Sequence, residues 1–150
     1  MVDFVKYDEF FLNNSWKWLN DDEIKMLTNT PNFSREQQKE WFLSLTKKKN
    51  YYIKGMLFEG KRIGVVGLKN ISLIEGEYWG YIGEKEYWGK GIGRQMINYI
   101  LGVAKAKNLQ KLYLKVIDKN IRAISVYNTM GFKVVKDKCT IDLVYMEYEF

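Results

Sequence analysis

Two short stretches of this chain carry residue types that can do chemistry. The first is Trp88-Gly89-Lys90-Gly91-Ile92-Gly93-Arg94. Three glycines at alternate positions strip side chains from a turn, so backbone N–H groups can converge on an anion. A helix starting there adds the positive end of its dipole, and Lys90 and Arg94 add charge. A pyrophosphate is the natural guest. A plain capped loop would need only one of the glycines. Two other phosphate signatures are absent. G-x-G-x-x-G counted from Gly89 ends on Arg94 and from Gly91 on Met96, and no G-x-x-x-x-G-K-[ST] occurs. The second stretch runs from Asn120 to Phe132. Asn120 suits a helix N-cap, and its amide can also reach a ligand. Tyr127 lies two helical turns on and shares a face with Asn120 and Ala123, and Gly131 suits a helix stop.

What is missing narrows the chemistry further. The chain has no histidine and one cysteine, Cys139. That removes His-based triads, the usual zinc sites and an internal disulfide. Acid–base work falls to Asp, Glu, Tyr, Lys, Cys, the backbone or water. Cys139 falls in the final hairpin and reads as structural.

The elements around these stretches follow from periodicity. Residues 2–7 read as a strand, followed by helical segments holding Trp16, Leu19, Ile24 and Leu27, broken at Asn20-Asp21-Asp22. Ser34 and Gln37 have capping-box spacing ahead of Trp41, Phe42 and Leu45, which predicts a helix over 34–46. Residues 50–58 and 62–73 read as strands joined at Glu59-Gly60-Lys61. A strand over 76–83 is rich in aromatics, and a loop over 84–91 leads into a long helix. A strand over 111–117, a helix over 120–130 and a hairpin of 132–137 with 140–149 complete the chain. A strand–helix–strand unit over 76–117 requires parallel neighbours, whereas the rest alternates as antiparallel strands do. The expected fold is a mixed α/β (α+β) single domain over 1–150. Its central sheet of seven strands is mostly antiparallel, with one parallel pair and helices on both faces.

Taken together, the chain resembles the general N-acetyltransferase (GNAT) superfamily. That family's glycine motif, [Q/R]-x-x-G-x-[G/A], corresponds here to Trp88-Gly89-Lys90-Gly91-Ile92-Gly93. Its pattern N-x-x-A-x-x-x-Y-x-x-x-G-F is matched at Asn120, Ala123, Tyr127, Gly131 and Phe132. Trp88 departs from the motif's first position. The W-G-K-G form, with Trp18-Leu19-Asn20-Asp21 near the start, is similar to the branch of ribosomal-protein N-terminal and amino-sugar acetyltransferases. Trp88 has no side-chain amide, so any cofactor contact it makes is by backbone or packing.

The resemblance implies acetyl-CoA as co-substrate, lying in a V-shaped opening between a splayed parallel pair of strands. Its pantetheine arm would pair with the backbone of Tyr81, Ile82 and Gly83, one N–H of which would polarise the thioester carbonyl. Backbone N–H groups from Gly89 and Lys90 through Gly91, Ile92 and Gly93 to Arg94 would hold the pyrophosphate, with Asn120 and Tyr127 also at the cofactor. An amine would attack directly, through one tetrahedral intermediate and no covalent enzyme intermediate. Tyr127 would be the general acid for the leaving thiolate. Glu77 is the first candidate for the base, with Glu75, Asp118 and water as alternatives. The aromatics Tyr78, Trp79, Tyr81 and Trp88 suit a packed core as well as an acceptor site on which sugars stack.

Composition bounds the partners. Apolar residues make up 47% and charged residues 28% of 150, with one proline and a formal charge of +6, as in an ordinary folded domain. The charge suits an anionic ligand and equally a lysine-coated surface. It would allow nucleic-acid binding, but no reader motif supports that. The opening MVDFVKYDEFF is no signal sequence and no run of 18 apolar residues occurs, so a cytoplasmic location with no membrane partner is expected. No metal is expected, and a homodimer is left open. The expected acceptor is a small-molecule primary amine, such as a (nucleotide-linked) amino sugar. The alternatives are the N-terminus of a protein such as a ribosomal protein, or a non-catalytic acyl-CoA-binding module.

Overall fold

Glu59 and Gly60 both take positive φ, 50° and 81°, the two-residue turn whose twist matches that of the strands it joins. They connect β2 (Tyr52–Phe58) to β3 (Lys61–Lys69), the hairpin on which the sheet is built. The computed structural model describes residues 1–150. β1 (Val2–Val5) pairs antiparallel with β2, and β4 (Glu75–Ile82) antiparallel with β3. β5 (Lys111–Ile117) runs parallel to β4, and β7 (Leu143–Glu149) lies between β5 and the short β6 (Lys133–Val134). The seven-stranded order is β1-β2-β3-β4-β5-β7-β6, the mixed sheet with one parallel pair that the sequence predicts.

Helices cover both faces. α1 (Glu9–Leu19), α2 (Asp22–Leu27) and α3 (Arg35–Ser44) pack with Trp79 and Tyr81 around Phe11, Trp18, Ile24 and Val65. On the opposite face, α4 (Ile92–Ala106) and α5 (Ile121–Thr129) cover the larger core, where Ile92, Met96, Ile97 and Ile100 meet Ile63, Leu68, Leu112, Leu114 and Phe132. Side-chain caps start four of these helices. Asp8, Asp21 and Asn120 accept from backbone N–H groups of the first turn, and Ser34 with Gln37 forms the expected capping box. α4 begins on Gly91 with no side-chain cap at all.

Three boundaries differ from expectation. The first strand stops at Val5 because Asp8 caps α1. β3 ends at Lys69, not 73, since Asn70 turns left-handed at φ 51° and the Ser72 hydroxyl accepts from Ile74 and Glu75 N–H. In the closing hairpin only Lys133–Val134 pairs as β6. A 3-10 turn over Lys136–Lys138 follows, closed where Tyr145 N–H donates to Cys139 Sγ at 3.3 Å. No helix is long and apolar enough to cross a membrane.

Candidate active site

β4 and β5 pair only over Glu75–Glu77 and Lys111–Tyr113, and beyond that point they diverge. β4 keeps β3 as its partner to Ile82, and β5 keeps β7 to Ile117. The facing backbones of Tyr78–Ile82 and Leu114–Ile117 therefore have no strand between them, and a cleft of about 1220 Å³ opens there. Unpaired backbone groups of this kind want a partner. Strand alternation says which groups they are. Gly83 N–H donates to the Ile63 carbonyl at 2.7 Å, so Gly83, Tyr81 and Trp79 turn their N–H groups towards β3. Tyr78, Gly80 and Ile82 turn theirs into the fork.

This sorts the expected pantetheine contacts. Ile82 offers a free N–H on the open side. Tyr81 lines the cleft by its side chain, and Gly83 does not line it. Gly83 is there for packing. A Cβ at this position would lie 2.1 Å from Trp18 Cδ2, so only glycine lets the Trp18 indole lie on the strand end. Trp18 Nε1 then donates to Glu84 Oε2, while Asp21 caps α2 and pairs with Lys85 at 2.9 Å. The Trp18-Leu19-Asn20-Asp21 stretch thus braces α1 and α2 against the end of β4.

The glycine loop lies at the open end of the fork. Gly89 and Gly91 have φ of 72° and 81°, and a Cβ at either would meet nothing within 4 Å. The turn presents bare backbone to open space, and the uncapped first turn of α4 presents its N–H groups beside it. Gly89, Gly91, Ile92, Gly93 and Arg94 line the cleft, whereas Lys90 does not. Lys69, Lys115, Lys119 and Arg122 line it as well, against only Glu23 and Glu77 as carboxylates. A bare turn, unmet N–H groups and a basic wall fit the pyrophosphate of acetyl-CoA. No group of three metal-ligating side chains converges anywhere in the chain.

Trp88, the departure from the glycine motif, has a definite place. Its indole N–H donates to the Ile82 carbonyl at 2.9 Å, which ties the loop to the end of β4. The Arg122 guanidinium lies 5.4 Å over its ring from α5.

Asn120 caps α5 through its carbonyl oxygen, accepting from Ala123 N–H at 3.3 Å, and lines the cleft. Tyr127 follows on the same helix face. Its ring meets Tyr78 edge-on at 5.9 Å and Phe132 at 6.0 Å. Burial alone pushes the Tyr127 hydroxyl up to about 12, so it stays protonated at neutral pH and has a proton with which to donate a hydrogen bond.

Of the three candidate carboxylates, Glu77 alone lines the cleft. It is only 7% exposed. Asn70 Nδ2 donates to its Oε1 at 3.0 Å and Lys69 Nζ stands 3.9 Å from Oε2. Glu75 is instead paired with Lys111 at 3.2 Å, and Asp118 is exposed. Because alternate residues of a strand face opposite ways, Glu77 shares its face with Trp79 and Tyr81 on the α1–α3 side. Tyr78 faces α4 and α5 with Tyr127. The aromatic strand is thus divided: Tyr78 belongs to the larger core, while Trp79 and Tyr81 line the cleft from the other face. Asn70 and Tyr51 were not among the expected site residues. Only the left-handed turn at Asn70 had a local sign, an asparagine beside a strand end.

Comparison with known proteins agrees with this geometry. The acetyltransferase (GNAT) family matches residues 14–132. An uncharacterized protein of Methanocaldococcus jannaschii is 31% identical over 104 residues, which are 67% of this chain and 21% of that protein's length. The chain therefore spans only a part of that relative. Spermidine N-acetyltransferase from Vibrio cholerae, solved in complex with CoA and spermine, superposes with a TM-score of 0.87 at 22% identity, over 99% of this chain and 95% of that one. Campylobacter jejuni N-acetyltransferase PseH, solved in complex with acetyl coenzyme A, gives a TM-score of 0.76 at 16% identity, over 99% of both chains. At such identities the likeness is one of fold.

Proposed function

The chain belongs to the acetyltransferase (GNAT) family, and we propose that it carries an acetyl group from acetyl-CoA directly to the primary amine of a small molecule, an amino sugar being the preferred class. Acetyl-CoA supplies the activated thioester, and the chain's own residues do the rest. The bare turn from Gly89 to Arg94 and the first turn of α4 hold the pyrophosphate. The Ile82 N–H, turned into the fork by the register of β4 on β3, offers a hydrogen bond to the thioester carbonyl oxygen as charge develops on it. Glu77, oriented by Asn70, takes a proton from the incoming ammonium. Tyr127 donates to the leaving sulfur. A cytoplasmic location belongs to the same reading.

One observation carries it. The proton acceptor and the proton donor lie on opposite faces of the sheet, with the unpaired fork of β4 and β5 between them. Donor and acceptor substrates can then enter from opposite sides and meet, which favours direct transfer over a covalent relay. The test is a thiol-release assay with acetyl-CoA and a panel of amines. Glucosamine, spermidine and a peptide with a free N-terminus would be included, with products identified by mass. Acetylated glucosamine is expected. Acetyl-CoA binding without turnover of any amine would overturn the catalytic reading, and preferred acetylation of the peptide would overturn the small-molecule one.

A further inference from the structure

Tyr78 belongs to the larger core and is only 4% exposed, yet it lines the cleft as well. Its ring meets Tyr127 edge-on at 5.9 Å, and its hydroxyl reaches along β4 to Gly80. A Cβ on Gly80 would lie 3.1 Å from Tyr78 Oη and 2.9 Å from Met96 Cε, so these two side-chain ends occupy the space that a larger residue would fill. The Tyr78 hydroxyl makes no hydrogen bond within the chain. It is not sealed in either, because the unpaired side-chain atoms cut off from solvent are Arg62 Nε and Trp79 Nε1 alone. The phenol therefore ends at the cleft, and the transfer steps above make no use of it. Burial, with the neighbouring Tyr127 adding to it, holds this phenol well above its ordinary range, so it stays neutral there and acts by its bulk.

Position along β4 says what that bulk meets. The bare glycine turn stands at the open end of the fork, and the Ile82 N–H faces the fork from the end of β4. Further down come Gly80 and Tyr78, and then the paired rungs of Glu75–Glu77 with Lys111–Tyr113. A pantetheine arm that starts at the turn and brings its thioester carbonyl to Ile82 must point the acyl tail onward, at Gly80. Two residues of strand separate Ile82 from Gly80, about 6.8 Å. Contact with the phenol oxygen takes up about 3.5 Å of that span, and what is left holds a methyl group and little more. We propose that the Tyr78 hydroxyl is the stop at the end of the acyl pocket, so that an acetyl group fits and the next carbon of a propionyl group collides with the phenol oxygen. The proposal rests on the reading of the Ile82 N–H as the group that holds the thioester carbonyl. Met96 lies as close to Gly80 but is a poor stop, since its unbranched thioether swings aside. The phenol is rigid, and its ring is packed in the core.

The test compares acetyl-, propionyl- and butyryl-CoA as donors to glucosamine, by thiol release, in the wild type, Tyr78→Phe and Tyr127→Phe. One surplus methylene is worth about 10- to 200-fold in discrimination, so the wild type should prefer acetyl-CoA to propionyl-CoA by such a factor in kcat/KM. Tyr78→Phe removes one heavy atom and makes room for one. The preference should fall about tenfold or more in that variant, while butyryl-CoA, a carbon longer again, stays poor. Tyr127→Phe removes the hydroxyl at the sulfur and should slow acetyl and propionyl transfer alike. Should Tyr78→Phe fail to fold, Tyr78→Leu, shorter still, replaces it and is expected to admit both longer groups. A wild type that uses propionyl-CoA as well as acetyl-CoA overturns the proposal without any variant. An unchanged preference in Tyr78→Phe overturns it too, as does an equal gain there for butyryl-CoA, the mark of a loosened wall, or the same fall in Tyr127→Phe. Calorimetric titration of the acyl-CoAs without amine keeps the two readings apart. Turnover of glucosamine with an unaltered donor preference removes the stop and leaves the transferase. Weaker binding of propionyl-CoA than of acetyl-CoA that disappears in Tyr78→Phe, with no turnover of any amine, removes the transferase and leaves the stop.

Discussion

Replacing Tyr127 with phenylalanine isolates one hydroxyl. The ring stays, packed against Tyr78 and Phe132, and burial is the only influence on the hydroxyl's acidity, so no structural hydrogen bond is lost. Stability should change by less than about 1 kcal/mol. The raised acidity constant sets the catalytic magnitude. A phenol at about 12 facing a thiol of ordinary value, about 8.5, would transfer a whole proton uphill by about 3.5 units, or about 5 kcal/mol. The hydroxyl therefore acts mainly by donating a hydrogen bond to the sulfur as charge builds. A hydrogen bond to a charged group contributes about 1.5–3 kcal/mol, so Tyr127→Phe should lower kcat about 10- to 150-fold. Initial rates of thiol release over a range of acetyl-CoA concentrations measure this, and the KM for acetyl-CoA should stay near wild type. A phenol raised to about 12 is protonated throughout the working range, so the wild-type rate should show no decline near pH 10 that disappears in the variant. A loss of kcat under about threefold, or an effect confined to KM, would refute the role.

Gly83→Ala sets a Cβ 2.1 Å from Trp18 Cδ2. Displacing the indole should destabilise the fold by about 1–3 kcal/mol, read as a lowered urea midpoint; an unchanged midpoint would contradict the bracing of β4 by Trp18. In Gly91→Val a β-branched residue must adopt φ 81°, at a cost of about 1–2 kcal/mol. The distorted turn should raise the KM for acetyl-CoA about tenfold with little change in kcat for bound substrate, which the same rate assay reads. Alkaline unfolding has a definite sign. Tyr7 and Tyr127 rise from 10.0 to about 12 on folding, so above pH 10 the unfolded chain binds fewer protons than the folded one. Their contribution to stability is complete below pH 10 and is lost between pH 10 and 12, which denaturant midpoints measured across that window should follow.

The features legible in the sequence are those written in neighbouring residues. Ser34 and Gln37 form their capping box, Asn120 caps α5, and Glu59-Gly60 makes the hairpin turn. The alternate glycines produce two left-handed positions at the mouth of α4. The opening between β4 and β5 was expected only from family resemblance, because nothing local marks where two distant strands stop pairing. Contacts across the chain were hidden for the same reason. No periodicity links Trp18 to Gly83, or the Trp88 indole to the Ile82 carbonyl next to the fork. Alternation along β4 could in principle have separated Tyr78 from Trp79 and Tyr81. Which face was core and which was cleft depended on helices far away in sequence. Asn70 shortened β3 because a left-handed residue and a serine turn outweighed an apolar run that looked like continued strand.

Direct transfer across the fork is the central claim, and isotopically labelled acetyl-CoA tests it most directly. The protein would be mixed with label alone and with label plus glucosamine, then both chain and small molecules weighed by mass spectrometry. The account predicts label on the glucosamine nitrogen, one free thiol per acetyl moved, and none on the chain in either mixture. Label retained on the protein and passed on to the amine, or no labelled product although acetyl-CoA binds, would contradict it.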